Sequence, residues 1–165
     1  MSSVVPQSEL TSAFFARNRR RIASCLPEPM PLVLSGNSWI QKSMDISYTF
    51  TQESNFWYLT GLDEVALTLV VNGDDEYLIL PPHQPVREAF EGSADLKKLQ
   101  KISGISTIYE HAAGWDKLTK LLKTSKKVAS LDAPDTYILQ LEMFTNPARS
   151  HFLQRIHSIS DSVEI

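Results

Sequence analysis

Two apolar runs, ALTLVV at 66–71 and EYLIL at 76–80, stand on either side of NGDD at 72–75. Asn72-Gly73 is a strong signal for the tight turn of a β-hairpin, because both residues tolerate the positive φ that such turns require. The first run is almost uninterrupted in apolar residues, so its strand must be covered on both faces. A hairpin buried on two sides needs helices above and below it, and the rest of the chain has to supply them.

The surrounding pattern does so. A helical period runs from Ser8 to about Leu26, with Ser8 as its cap, Glu9 in the first turn, and Leu10, Phe14, Ile22 and Cys25 near one face. Pro27, Pro29 and Pro31 end it, and Pro31–Leu34 opens a short apolar strand. ISYTF at 46–50 alternates as a strand does. After the loop PPHQPVREAFEG (81–92) come a helix over Ala94–Ile102, a strand in STIYE (106–110), a helix over Trp115–Lys123 and a strand in KVASLD (127–132). The last helical pattern, Asp135–Ile159, is broken at Asn146-Pro147 into two helices. Helices alternating with short strands around one hairpin define an α/β fold, a mixed β-sheet flanked by helices, in a single domain over residues 1–165.

Residues 51–61, TQESNFWYLTG, place Phe56, Trp57 and Tyr58 in succession. Three consecutive aromatics cannot all enter one core from a single helix or strand. Thr51 or Ser54 can cap a short helix that Gly61 closes, and a strand is the competing reading.

Composition narrows the function. At 165 residues the chain can bury a core without disulfide or metal, and a net charge of −3 favours neither nucleic acid nor an anionic membrane as partner. The single cysteine, Cys25, excludes an intrachain disulfide and fits a reducing compartment. MSSVVPQSEL lacks the basic-then-apolar form of a secretory signal, and no run approaches the roughly 18 apolar residues of a membrane span. The expectation is a soluble, cytoplasmic protein.

Chemistry-bearing motifs are scarce. Arg17, Arg19, Arg20 and Arg21 read as a solvated helix face, and Asp74, Asp75 and Glu76 as a solvated turn. Cys25, on the apolar side of its helix, reads as a buried inert thiol. The six glycines form neither a dinucleotide fingerprint nor a phosphate loop, and no Gly-x-Ser-x-Gly elbow surrounds a serine. His151 and His157 face different ways on a helix, since six residues turn it by about 240°. His83 and Glu88 flank one loop, but nothing brings them together as acid and base. The chain does not read as a complete enzyme.

One stretch carries a specific likeness. YTFTQESNFWYLTGLDEVALTLVV (48–71) resembles Y-x-x-R-Q-x-S-(N/D)-F-(W/Y)-Y-(L/F)-T-G-(F/L)-x-E-P followed by an apolar strand. That segment belongs to the N-terminal domain of Xaa-Pro aminopeptidases (aminopeptidase P), in the creatinase/prolidase family. Gln52, Ser54–Gly61 and Glu64 match in register. PPHQPVREAFEG resembles the family's P-x(n)-E-x-W-x-G, with Glu88, Phe90 and Gly92 on its Glu, Trp and Gly. Thr51 stands where the family has Arg, Val65 where it has Pro, and Phe90 where it has Trp.

The resemblance implies a non-catalytic N-terminal domain. Catalysis would belong to a following pita-bread domain, absent from this chain, where two Asp, one His and two Glu hold two divalent metals, commonly manganese. SHFLQRIHSISDSVEI (150–165) resembles the segment leading into it. The substrates implied are peptides with proline in second position, and the partners are the chain's own catalytic domain and further copies in a homo-oligomer. Phe90, Glu88 and Trp57 are then the candidate substrate-access residues, with no catalytic residue, metal ligand or cofactor in this chain. Phe56 and either Tyr58 or Trp57 would pack on the sheet. Two other readings stand beside this one: a stand-alone interaction module anchored by Trp39, Trp57 or Phe90, and the N-terminal domain of a prolidase or creatinase relative.

Overall fold

A computed structural model describes residues 10–85, 92, 94–132, 140–142 and 146–159. In chain order the elements are α1 (Ser12–Cys25), β1 (Leu32–Ser35), β2 (Gln41–Ser43), β3 (Ile46–Ser47), α2 (Ser54–Thr60), β4 (Thr68–Asn72), β5 (Asp75–Ile79), α3 (Leu96–Ser103), β6 (Thr107–Tyr109), α4 (His111–Thr124) and α5 (Ala148–Ile159).

The expected hairpin is the centre of the fold. β4 and β5 pair antiparallel from Thr68 opposite Ile79 to Asn72 opposite Asp75. β1 adds antiparallel to β4, and β6 parallel to β5, in the order β1-β4-β5-β6. Period-2 alternation sends the strand side chains to two cores. Leu32, Leu34, Leu69, Val71 and Leu78 face α2 and α3, meeting Phe56, Leu59, Leu99 and Ile105. Val33, Val70, Tyr77 and Ile79 face α4 and α5, meeting Trp115, Leu118, Leu122, Phe152 and Ile156. This mixed β-sheet flanked by helices is the α/β architecture the sequence implies. Gly114 lets α4 approach closely, since a Cβ there would stand 2.5 Å from Ile79 Cγ2.

Several local expectations change. KVASLD forms no full strand. It joins the sheet through a bridge between Leu32 and Ala129, in which Val33 N–H donates to Ala129 O (2.9 Å). ISYTF is strand only at Ile46–Ser47. α4 begins at His111 rather than Trp115. α5 starts directly after Asn146-Pro147, with Asn146 Oδ1 accepting from Ala148 N (3.0 Å), while residues 135–139 and 143–145 lie outside the described residues, as does Ser8.

The largest correction concerns α1. Its buried stripe is Phe15, Asn18 and Arg19; Ile22 and Cys25 are exposed, so the thiol is not the buried group expected. Arg17, Arg20 and Arg21 do face solvent, but Arg19 is fully buried. Its Nε donates to Glu76 Oε2 (2.9 Å), and its Nη1 donates to Leu59 O (2.8 Å) and Ser103 O (3.0 Å). Burial lowers the Arg19 pKa from its ordinary value, and Glu76 opposes that shift. The acidic turn is likewise more than a solvated loop. Glu76 holds Arg19, and Asp75 accepts from Lys117 Nζ (2.8 Å), which lies 4.4 Å from the centre of the Tyr77 ring.

Two predictions follow from this packing. Arg19→Met leaves two helix-end carbonyls and a carboxylate without their donor, and should cost about 3 kcal/mol in urea unfolding. Arg19→Lys should recover little of it, because an ammonium cannot span the planar fork. Tyr77 has its hydroxyl buried with no partner among the described residues, and burial pushes the phenol up. Its raised pKa means that stability present below about pH 10, the unfolded value, falls as the pH climbs towards the folded one. Tyr77→Phe should therefore flatten the alkaline limb of a stability–pH profile and leave neutral stability equal or higher.

Candidate functional site

The motif from Gln52 to Glu64 forms a hub that carries α2, which packs on α1 and on the sheet face that α3 also covers. Glu53 keeps an extended backbone, and its carboxylate accepts from Phe56 N (2.7 Å), so Glu53 caps α2 rather than Thr51 or Ser54. A carboxylate also suits the positive end of the helix. Asn55 Nδ2 and Arg149 Nη2 both donate to Glu53 Oε1, at 3.0 and 3.3 Å. Gly61 closes the helix at φ +69, with its N–H on Trp57 O (2.7 Å), as the sequence predicts. A Cβ on Gly61 would lie 2.3 Å from Phe15 Cζ, so the position also admits the ring of α1.

The three aromatics separate as helical rotation demands. Phe56 enters the core against the sheet. Trp57, half-buried, meets Phe15 edge-to-face with ring centres 6.0 Å apart. Tyr58, more exposed, meets Phe14 at 6.1 Å. Only Phe56 of the three therefore belongs to the sheet-facing core; Trp57 and Tyr58 pack on α1. Asn18 Nδ2 donates to Tyr58 O (2.9 Å), next to the Arg19 bond on Leu59 O.

Gln52 ties this helix to its surroundings. Its Oε1 accepts from Asn37 N (2.8 Å) and Glu53 N (2.9 Å), and its Nε2 donates to Leu62 O (3.2 Å) and Glu64 O (2.8 Å). The side chain is buried, so these four bonds satisfy an amide that has left water. Thr51, in the place of the family's Arg, is exposed and engaged through its carbonyl, which accepts from Asn37 Nδ2 (2.9 Å). Val65, in the place of Pro, is buried.

Of the substrate-access candidates, the structure describes Trp57 alone; Glu88 and Phe90 lie outside the described residues. Where the chain leaves β5, His111 Nδ1 is 3.2 Å from Leu80 O, and its Nε2 is 3.3 Å from Arg155 Nη1. Arg155 in turn stacks 3.5 Å from the centre of the Trp115 ring. Spacing could not have revealed this contact between α4 and α5, nor the burial of Arg19. Among the described residues no three His, Cys, Asp or Glu side chains converge as metal ligands. Among the described residues no helix is long and apolar enough to cross a membrane.

Fold and hub define a mixed-sheet α/β domain whose aromatic motif serves packing. The chain belongs to the aminopeptidase P N-terminal domain family, whose model matches residues 15–129. No curated protein matches the sequence significantly. Among solved structures, one described as an aminopeptidase P from Bacillus anthracis superposes with a TM-score of 0.76 at 24% identity, over 94% of this chain and 38% of that one. The zinc-substituted Escherichia coli aminopeptidase P in complex with product gives 0.68 at 18%, over 95% and 37%. Aminopeptidase PepP of Pseudomonas aeruginosa gives 0.63 at 22%, over 91% and 34%. These likenesses show the fold, and the chain spans between a third and two fifths of the structures it matches.

Gln52→Glu tests the hub with a single-group change. It replaces the donor facing Leu62 O and Glu64 O by a carboxylate, and should cost about 2 kcal/mol at neutral pH. The deficit should shrink as the pH falls from neutral and be smallest by about pH 4, the ordinary carboxyl value, where a protonated carboxyl has regained one donor. Thermal unfolding of both proteins across that range checks it.

Proposed function

We propose that this chain is the non-catalytic N-terminal domain of a metal-dependent Xaa-Pro aminopeptidase, which removes the residue preceding proline from the N-terminus of peptides. The match of the family model over residues 15–129 carries the reading. Its support is that Gln52, Phe56 and Gly61 perform the packing that the motif requires. In the longer protein two divalent metals, manganese in this proposal, would activate a water against the scissile carbonyl. No residue of this chain takes part in that step.

The domain's contribution is access and assembly. Glu88 and Phe90, with the part of Trp57 that α1 leaves open, border the entrance to the catalytic cleft, and the domain supplies contacts to the catalytic domain and to other copies, in the cytoplasm. Phe90 offers an apolar stacking face without an indole N–H.

The test starts from the intact mass of the natural protein. A mass well above that of these 165 residues should accompany manganese-dependent cleavage of Xaa-Pro peptides, lost with a chelator. In that form Phe90→Ala should raise KM several-fold with kcat little changed, as loss of uniform binding does. A natural protein that ends with these residues, or a long form equally active on peptides without proline, overturns the reading.

A further inference from the structure

An asparagine survives in a chain as long as the next backbone nitrogen cannot reach its side-chain carbonyl carbon. Of the five asparagines here, four are restrained on both sides of that encounter. The carboxamide of Asn18 donates to Tyr58 O (2.9 Å), that of Asn37 to Thr51 O (2.9 Å), that of Asn55 to Glu53 Oε1 (3.0 Å) and that of Asn146 to Ser38 O (2.6 Å). The nitrogens that follow them are no freer. Arg19 N lies inside α1, Ser38 N donates to Asn146 Oδ1 (3.2 Å), Phe56 N donates to Glu53 Oε2 (2.7 Å), and Pro147 carries no N–H.

Asn72 differs on both counts. Its half-buried carboxamide makes no hydrogen bond among the described residues, and neither does the N–H of Gly73. Gly73 is exposed at φ +62, and a Cβ built on it would meet nothing within 4 Å, so the approach to its nitrogen is open. Asn72 pairs with Asp75 as the last rung of the β4–β5 ladder, and Gly73-Asp74 is the two-residue turn beyond it. An end rung opens at small cost, and opening lets the Asn72 side chain swing towards the Gly73 nitrogen.

We propose that Asn72-Gly73 is a site of spontaneous deamidation, and that the product loosens the turn that presents Glu76 to Arg19. The Gly73 nitrogen gives up its proton and bonds to Asn72 Cγ; the bond from Cγ to the amide nitrogen breaks, and ammonia leaves with that proton. A succinimide ring remains. Water then opens the ring at either carbonyl, giving aspartate, or isoaspartate with the main chain routed through Cγ. In total water enters and ammonia leaves, with no change of oxidation state. Isoaspartate lengthens the main chain at the last rung, and both products add a negative charge beside Asp74, Asp75 and Glu76. Asp75 and Glu76 accept from Lys117 Nζ and Arg19 Nε, so a displaced turn acts directly on the ion pairs that join the hairpin to α4 and α1. This chemistry belongs to the chain itself and does not rest on the proposed function.

The folded chain, kept for weeks at physiological temperature and mildly alkaline pH, should lose ammonia at Asn72 about tenfold faster than at any other asparagine, since each rival must first surrender a hydrogen bond. Peptide mapping by mass spectrometry reads the NH2-to-OH change, and an isoaspartyl methyltransferase with a labelled methyl donor should mark the same peptide. The modified fraction, separated by its extra charge on anion exchange, should unfold at lower urea concentration than the fresh chain. Asn72→Gln, whose longer side chain closes a ring far more slowly, should remove the label and leave the unfolding of fresh protein unchanged. Loss of ammonia first at Asn18, Asn37, Asn55 or Asn146 overturns the assignment. So does a folded chain that outlasts conditions under which the urea-unfolded chain reacts at Asn72. A modified fraction as stable as the fresh chain overturns the effect on the hairpin.

Discussion

Helix C-termini end in carbonyls with no partner inside the helix and a partial negative charge, so burying two of them beside a carboxylate demands a cation. Arg19 is that cation. It reaches the end of α2 at Leu59, the end of α3 at Ser103 and the carboxylate of Glu76 on β5. These groups are far apart in the chain and meet only because one planar guanidinium offers donors in fixed directions. The relative placement of α1, α2, α3 and the central hairpin depends on it. On the opposite face no such ionic centre exists among the described core residues, and α4 and α5 are held by aliphatic and aromatic packing around Tyr77 and Trp115.

With Arg19 in place, the motif shared with the family reads as a set of mechanical parts. Glu53 starts α2, Gly61 stops it and lets Phe15 in, Phe56 enters the sheet-facing core, and Gln52 joins the exit of β1 to the turn after the helix. Where the chain departs from the family pattern, the environment explains why the fold survives. Thr51 is exposed and engaged through its backbone, and Val65 fills a buried apolar position. The β2–β3 ribbon, which points outward, is carried by this hub without belonging to it.

The function is legible to the extent that the motif is specific. Ten residues in register identify the family, and the family model agrees over most of the chain. The proposed access residues are less legible. Glu88 and Phe90 rest on a shorter pattern, and Trp57, half-buried, meets Phe15 of α1 edge-to-face. Side chains that border a cleft take their role from what stands opposite them, which a local pattern does not encode.

The sequence alone determined the central hairpin, the two-sided burial of β4, the helix closed by Gly61 and the helix start after Asn146-Pro147. Each depends on neighbours within a few residues: positive φ at Gly, a missing N–H at Pro, period-2 apolarity in a strand. Tertiary structure decided which arginine of four is buried, which carboxylate of three receives it, that Cys25 is exposed, and that KVASLD adds a bridge instead of a strand. Those outcomes turn on whether a charged group finds its partners across a long loop of chain. The cost of burying a charge is recovered only when several acceptors converge on it, and no window of sequence contains that convergence.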